Sequence, residues 1–305
     1  EFATVVNKDV SINLDRRRHI ADDDIDYLIA RGKDFDEKNY ICANTAAVYY
    51  SIDGDEKLIT DVRGMTAQRV SARISYMLAE KRFVSMFDRI ASDLGFRDVR
   101  YIVSDWAQCV MLLDEEQRED SFALLNIGYL SSSVTLAKGE GLLGMRSFSV
   151  GGGHISADIY SALEVPFDLA QEAKDMLDLN LNYAEDAVLV RDDNYIIYAG
   201  DACEIAKSRL NMLADVIATI FKDFAEDAPS YLPIYLTGDG IASMRGAKKY
   251  LSEKLKKNIE ILTPTLPGFI TAKDSSKTAL LLMADTLSGG SLGDMIKSIF
   301  SGGKK

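Results

Sequence analysis

The chain is poor in the residues that build metal sites and disulfide frameworks: two His and three Cys among 305 residues. His19 and His154 alone make no metal-ligand cluster, so no zinc or related site is expected. Cys42, Cys109 and Cys203 are far apart, odd in number and set in apolar sequence. They read as buried thiols of a reducing compartment rather than as disulfide partners. No apolar run approaches the roughly 20 residues of a membrane-spanning helix, and no stretch reads as a secretory signal. Clustered basic charge is also missing: 35 Lys and Arg face 47 Asp and Glu, for a net charge of -12. Phosphate backbones are bound through clustered cations, so a nucleic-acid partner is excluded. The one dense basic run, Arg16 to Arg18, is followed by Asp22 to Asp24, the pattern of a solvated surface.

What is present is an ordinary globular composition, 47% hydrophobic and 27% charged. The length allows a sizeable core and two domains. Asp22 to Gly32 reads as a helix with acids at its positive end. Tyr40 to Ile52 reads as a strand and Asp53 to Lys57 as its turn. Asp61 to Val70 is expected to be a loop, followed by a strand through Leu78. Phe83, Met86, Phe87, Ile90 and Leu94 form a helical stripe stopped by Gly95. A buried strand over Val99 to Val103 and an apolar helix through Leu113 follow. The acidic run Asp114 to Asp120 then reads as an exposed hinge. Beyond it come a hairpin over Phe122 to Val150, helices over Ile155 to Leu163 and Phe167 to Leu177, and a short hairpin near Ala187 to Ala199. A long helix over Cys203 to Phe224, a strand Ile234 to Thr237 and a helix Ala242 to Leu255 complete the pattern. Alternation of this kind indicates α/β architecture.

The candidate binding residues lie in three Gly-containing elements: FALLNIGYLSSSVTL at Phe122 to Leu136, SVGGGHIS at Ser149 to Ser156, and YLTGDGIASMRG at Tyr235 to Gly246. Strand, tight turn and helix start is the arrangement that offers backbone N–H groups to phosphate. Gly128, Ser131 to Ser133 and Gly151 to Gly153 are candidates for holding an anion, and Gly238, Asp239 and Gly240 for flanking a purine. The plainer readings are a flexible connection into the helix at Ile155 and a simple turn at Asp239-Gly240. His154 reads as a capping or packing side chain.

These residues resemble the actin-like cell-division protein family FtsA, with the pilus-assembly family PilM as a close relative. The segment Val62 to Ile74, VRGMTAQRVSARI, is similar to the family's D-P-x-G-M-S-G-x-R-L-E-A-x-V. SVGGGHISADI is similar to V-G-G-x-H-I-T-x-D-I, and LTGDGIASMRG to L-T-G-G-G-A-x-L-x-G. ACEIAKSR, from Ala202 to Arg209, is similar to L-A-E-I-I-E-x-R, which makes Glu204 and Arg209 nucleotide-side candidates; two unrelated surface charges explain them almost equally well. The resemblance implies an actin-like fold of the actin/Hsp70/sugar-kinase superfamily with an FtsA-type inserted SHS2 subdomain. It places that subdomain at residues 1–78, the rest of a first lobe at 79–120, a second lobe at 121–288 with a smaller subdomain about 155–224, and a linker with a C-terminal helix at 289–305. The chain opens on Glu1 rather than Met, downstream of where the family's other phosphate loop would stand.

The departures from the family pattern bear on chemistry. The phosphate hairpin D-I-G-G-G-T-T-D aligns with Asn126, Ile127, Gly128, Tyr129, Leu130, Ser131, Ser132 and Ser133. Two glycines have become Tyr129 and Leu130, and both acids that organise Mg²⁺ and water are gone. ATP with Mg²⁺ therefore remains open as a ligand, while hydrolysis by this chain is not expected. At the C-terminus, Leu292, Met295, Ile296, Ile299 and Phe300 make a helical stripe with Lys297, Lys304 and Lys305 nearby. It suits a membrane interface and otherwise packs on the body. The resemblance implies a cytoplasmic adaptor, peripheral on the inner face of the cell membrane, that self-associates and tethers an FtsZ-like tubulin homologue at the septum. The alternatives are a working actin-like ATPase and a PilM-like component of a pilus or secretion platform that binds a peptide of a membrane protein.

Overall fold

The computed structural model describes residues 2–34, 38–55, 57–229, 231–287 and 289. The membrane-stripe residues Leu292, Met295, Ile296, Ile299 and Phe300 lie outside the described residues. The chain divides into two compact units, one of Glu1–Ser121, Thr135–Met145 and Ala279–Lys305, the other of Phe122–Val134 and Arg146–Thr278.

The first unit is built on three long antiparallel strands, β1 (Ala3–His19), β2 (Tyr40–Ile52) and β3 (Thr66–Glu80), in the order β1-β3-β2. Register pairs Ile12 with Val70 and Lys8 with Ile74 on one side, and Tyr50 with Ala72 and Ala47 with Ile74 on the other. Helix α1 (Asp22–Arg31) carries Asp22, Asp23 and Asp24 in its first turn, where negative charge meets the positive end of the helix dipole. Its Ile25 and Leu28 are buried with Ile12, Leu14, Val62, Val70, Ile74 and Tyr76, which form one core. The Tyr76 hydroxyl donates to the Ile29 carbonyl at 2.6 Å and ties the last turn of α1 to the sheet.

Helix α2 (Lys81–Asp93) forms at its expected stripe, yet buries only Val84. Met86, Phe87, Ile90 and Leu94 are 41–70% exposed. Val99–Val103 forms neither helix nor strand, where its composition suggests a buried strand. The side chain of Asn44 supplies the pairing a strand would: its Nδ2 donates to Tyr101 O at 3.1 Å, and its Oδ1 accepts from Val103 N–H at 2.8 Å. Helix α3 (Ser104–Leu112) follows. The acidic run is no open hinge but a short helix, α4 (Glu115–Glu119), closed by a capping box. Asp114 accepts from Gln117 N–H at 2.8 Å, and Gln117 Oε1 accepts from Asp114 N–H at 3.0 Å.

In the second unit β4 (Phe122–Ile127), β9 (Ile234–Thr237) and β10 (Ile259–Ile261) run parallel, with Ala123 beside Ile234 and Ile234 beside Ile259. Strands β5 (Ser132–Lys138) and β6 (Gly141–Phe148) continue the order β10-β9-β4-β5-β6. Residues 135–145, expected in the second lobe, group with the first unit. The hydrogen bonds say why: Leu142 N–H donates to Ser75 Oγ, Asn7 Nδ2 to Leu143 O, and Trp106 Nε1 to Glu140 O.

The helices of the second unit are α5 (Gly153–Leu163), α6 (Phe167–Met176), α7 (Ala199–Asp223) and α8 (Ala247–Leu255), with the hairpin β7 (Val188–Arg191) and β8 (Ile196–Tyr198) between α6 and α7. Helix α8 starts five residues later than the pattern suggests, because Gly246 stands at φ +83° beside Leu179 and breaks the helical path. A 3-10 turn, Ala272–Asp274, leads into α9 (Ser275–Leu287). Among the described residues no helix is long and apolar enough to cross a membrane, and no three His, Cys, Asp or Glu side chains group to hold a metal ion.

Candidate functional site

The three Gly-containing elements meet at one place in the second unit. Strand β4 ends in a tight turn in which Gly128 N–H donates to Ser131 O at 3.0 Å. Gly152 N–H donates to Gly128 O at 2.9 Å and Gly153 N–H to Tyr129 O at 2.7 Å. Gly240 N–H donates to Ile127 O at 2.9 Å. A Cβ on Gly152 would stand 2.0 Å from Gly240 O, and one on Gly240 would stand 2.3 Å from Gly128 O. Gly238 holds φ +98° with Ile127 O only 2.4 Å from its Cβ position. The glycines are therefore required for backbone to pass against backbone, which is a packing role in its own right.

That packing uses several of the N–H groups an anion would meet. Gly152, Gly153 and Gly240 each spend the N–H on a carbonyl, and Gly151 N–H donates to His154 Nδ1 at 3.1 Å. The next donors at the start of α5 are also used, His154 N–H on Gly151 O and Ile155 N–H on Gly152 O. Ser132 is buried and its hydroxyl donates to Val150 O at 2.6 Å, Ser133 is buried, and Ser131 is exposed. His154 thus closes the Gly turn.

Tyr129 fills the space beside the turn. Its ring lies 2.6 Å from where a Cβ of Gly153 would be, so this side chain and that glycine fit only as a pair. The Tyr129 hydroxyl donates to Gln171 Oε1 at 3.0 Å, Ser156 donates to the same oxygen at 2.8 Å, and Gln171 Nε2 donates to Asp175. Lys174, on the same helix α6, is 4% exposed and places its ammonium 5.7 Å from the Tyr129 ring centre. Burial pushes the Lys174 pKa down, against the opposing pull of Asp175 and Asp239. None of Gln171, Lys174 and Asp175 stands among the sequence candidates. The one signal was a lysine sharing a helix face with Ala170, four residues before it.

Glu204 and Arg209 are not brought into this cluster by any hydrogen bond or ion pair. Glu204 is exposed on α7. Arg209 forms a two-pronged pair with Asp158 of α5, both contacts 2.6 Å, in a shallow cleft of about 430 Å³ with Ser161, Ile205, Ser208 and Met212. The bond to Asp158 raises the Arg209 pKa. Its charge is already matched. Asp239 is exposed. At the positions of the family's two acids stand Asn126 and the buried hydroxyl of Ser133, so the turn brings no carboxylate of its own to a divalent cation. A carboxylate does stand beside the turn: Asp239 Oδ1 lies 3.7 Å from the Cβ position of Gly128.

No protein-family model matches the chain. The curated cell division protein FtsA of two Helicobacter pylori strains is 23% identical over 128 residues, covering 42% of this chain and 26% of FtsA. The match thus spans about a quarter of those relatives' length. Among solved structures, the PilM-PilN type IV pilus biogenesis complex has a TM-score of 0.56 at 15% identity, covering 92% of this chain and 76% of that one. MreB5 of Spiroplasma citri bound to AMPPNP has a TM-score of 0.55 at 14% identity, covering 68% of this chain and 66% of that one. At such identities the structures speak to the fold alone. Strand order, the meeting of the three Gly elements and these likenesses agree: this chain has the actin-like ATPase fold and, over 128 residues, is similar to FtsA.

Proposed function

We propose that this chain is a non-hydrolysing, FtsA-like adaptor that joins a membrane surface to a cytoskeletal polymer. The observation that carries the non-hydrolysing part is the use of the Gly151, Gly152, Gly153 and Gly240 N–H groups within the protein, with Tyr129 packed over Gly153. An anion meeting those four N–H groups would have to break their existing bonds before making its own. The adaptor part is supported by the similarity to FtsA and by the apolar stripe Leu292, Met295, Ile296, Ile299 and Phe300. By the same resemblance the polymer is FtsZ-like, its contact surface lies about residues 155–224, and attachment is to the cytoplasmic face of the membrane. A short, weakly basic stripe binds weakly as one copy, so self-association would supply the avidity.

Calorimetric titration of the full chain with Mg-ATP tests the first part. The expected outcome is no heat and no phosphate release; turnover would replace the adaptor by a working actin-like ATPase. A second reading, a PilM-like component of a pilus or secretion platform, is favoured by the 92% coverage of this chain in the PilM-PilN alignment. Sedimentation with phosphatidylglycerol vesicles separates the two. Loss of vesicle binding on deleting residues 292–305 supports the adaptor. Equal behaviour of the parent and deleted chains supports the pilus reading.

A further inference from the structure

In the first unit, helix α2 turns an apolar face outward. Val84 is its buried residue. Phe83 stacks on Phe2 with ring centres 4.6 Å apart and stands 4.7 Å from the Phe87 ring. Met86, Ile90 and Leu94 continue the patch at 50%, 47% and 70% exposure. A contiguous apolar face of this kind marks a surface that another element covers.

Beside that face is the exit of the chain's own C-terminal segment. Arg100 Nη1 donates to Leu287 O, the last carbonyl of α9, at 3.0 Å. The next residue, Tyr101, donates its hydroxyl to Asp88 Oδ1 of α2 at 2.6 Å. Two neighbouring side chains thus tie the end of α9 and the middle of α2 to one short segment. Gly289, at φ +67° with its N–H on Thr286 O, stops the helical path there. The apolar stripe outside the described residues begins soon after, at Leu292. From Leu287 to Leu292 the chain can reach about 17 Å, more than the roughly 10 Å width of a helix. The lengths also agree: at a rise of about 1.5 Å per residue, Leu292 to Phe300 and Met86 to Leu94 both measure about 12 Å.

We propose that the exposed face of α2 is the docking surface for this chain's own C-terminal segment, whose stripe from Leu292 to Phe300 lies against Met86, Phe87, Ile90 and Leu94. A second copy competes poorly for the face, because so short a tether holds the segment at an effective concentration of about millimolar. The apolar residues that meet α2 are those that would meet lipid, so docking and membrane attachment exclude each other. That consequence rests on the membrane reading proposed above; the docking itself does not.

The test uses the full chain with Ile90→Cys and Ile296→Cys, oxidised by copper phenanthroline at low micromolar concentration and mapped by peptide mass. The control pair is Ser92→Cys with Ile296→Cys. Ser92 is exposed on the opposite side of α2 and lines a cleft with Arg100, so mere nearness of the segment favours the control. The expected result is a link between positions 90 and 296 within one chain, roughly tenfold more abundant than the control link. No link, equal linking of the two pairs, or links only between chains overturns the proposal. Vesicle sedimentation reads the consequence. Met86→Gln with Ile90→Gln adds no charge that would itself draw the chain to anionic lipid. This variant should bind phosphatidylglycerol vesicles roughly fivefold more tightly than the parent, as for a segment docked about four-fifths of the time. Binding equal to the parent's overturns the mutual exclusion. If neither chain pellets, the membrane reading fails, and the cross-link alone decides the docking.

Discussion

Gly152 allows no side chain, because its Cβ position lies 2.0 Å from a backbone carbonyl that cannot rotate away. Gly152→Ala should therefore cost about 3 kcal/mol or more in urea unfolding of the second unit. Gly200, with nothing within 4 Å of its Cβ position and a place in the first turn of α7, should accept alanine with unchanged or higher stability. Asp274 gives a pH signature. Hydrogen bonds first from Lys277 and then from Thr271 hold its carboxyl down at about 2, below the ordinary 3.8. A lowered folded-state pKa means stability that is complete above the ordinary value and lost as pH falls towards 2. Denaturant melts across that window should show the parent losing stability faster than Asp274→Asn; identical acid limbs would refute the assignment. The three Gly elements were legible as a set in the sequence. Which N–H of one element meets which carbonyl of another was not, since Gly152 and Gly128, Gly153 and Tyr129, and Gly240 and Ile127 are more than 20 residues apart along the chain.

At the scale of single elements, the sequence gives helices their faces but not their coverings. The face of α7 that carries Leu210, Leu213 and Ile217 is fully buried, while Met212 is 37% exposed. Leu213→Ala should cost about 2–5 kcal/mol, and Met212→Ala should stay well below that by the same denaturant measurement. Helix α2 is the opposite case. Its stripe of Met86, Phe87, Ile90 and Leu94 looks like any core-facing stripe in sequence, and in the structure it is exposed. Met86→Lys together with Ile90→Lys should raise solubility in light-scattering assays without lowering the melting temperature. The segment Val99–Val103 illustrates the same gap. Its β-branched residues favour an extended backbone, and Val103 is extended. A strand also needs a neighbour's backbone, and the neighbour here is one asparagine side chain.

For the whole molecule, the two compact units are interleaved in sequence, since residues 135–145 leave the second and join the first. No boundary signal marks that passage, because the hydrogen bonds that cause it, such as Leu142 N–H to Ser75, join residues 67 apart. If Leu292, Ile296 and Ile299 meet lipid as proposed, Ile296→Glu with Ile299→Glu should abolish pelleting with phosphatidylglycerol vesicles while leaving the melting curve of the full chain unchanged. Composition and local pattern alone settled the acidic, globular α/β character, the long strand Tyr40–Ile52, the helix starting at Asp22 and the ordered Gly elements, because these depend on residues within one or two turns of each other. Tertiary structure alone decided that the glycines are spent on one another and that Tyr129 packs against Gly153. It likewise decided that Arg100 holds the end of α9. Each of those facts is a distance between residues remote in sequence, set by how strands and helices pack and by which polar groups that packing leaves to be satisfied.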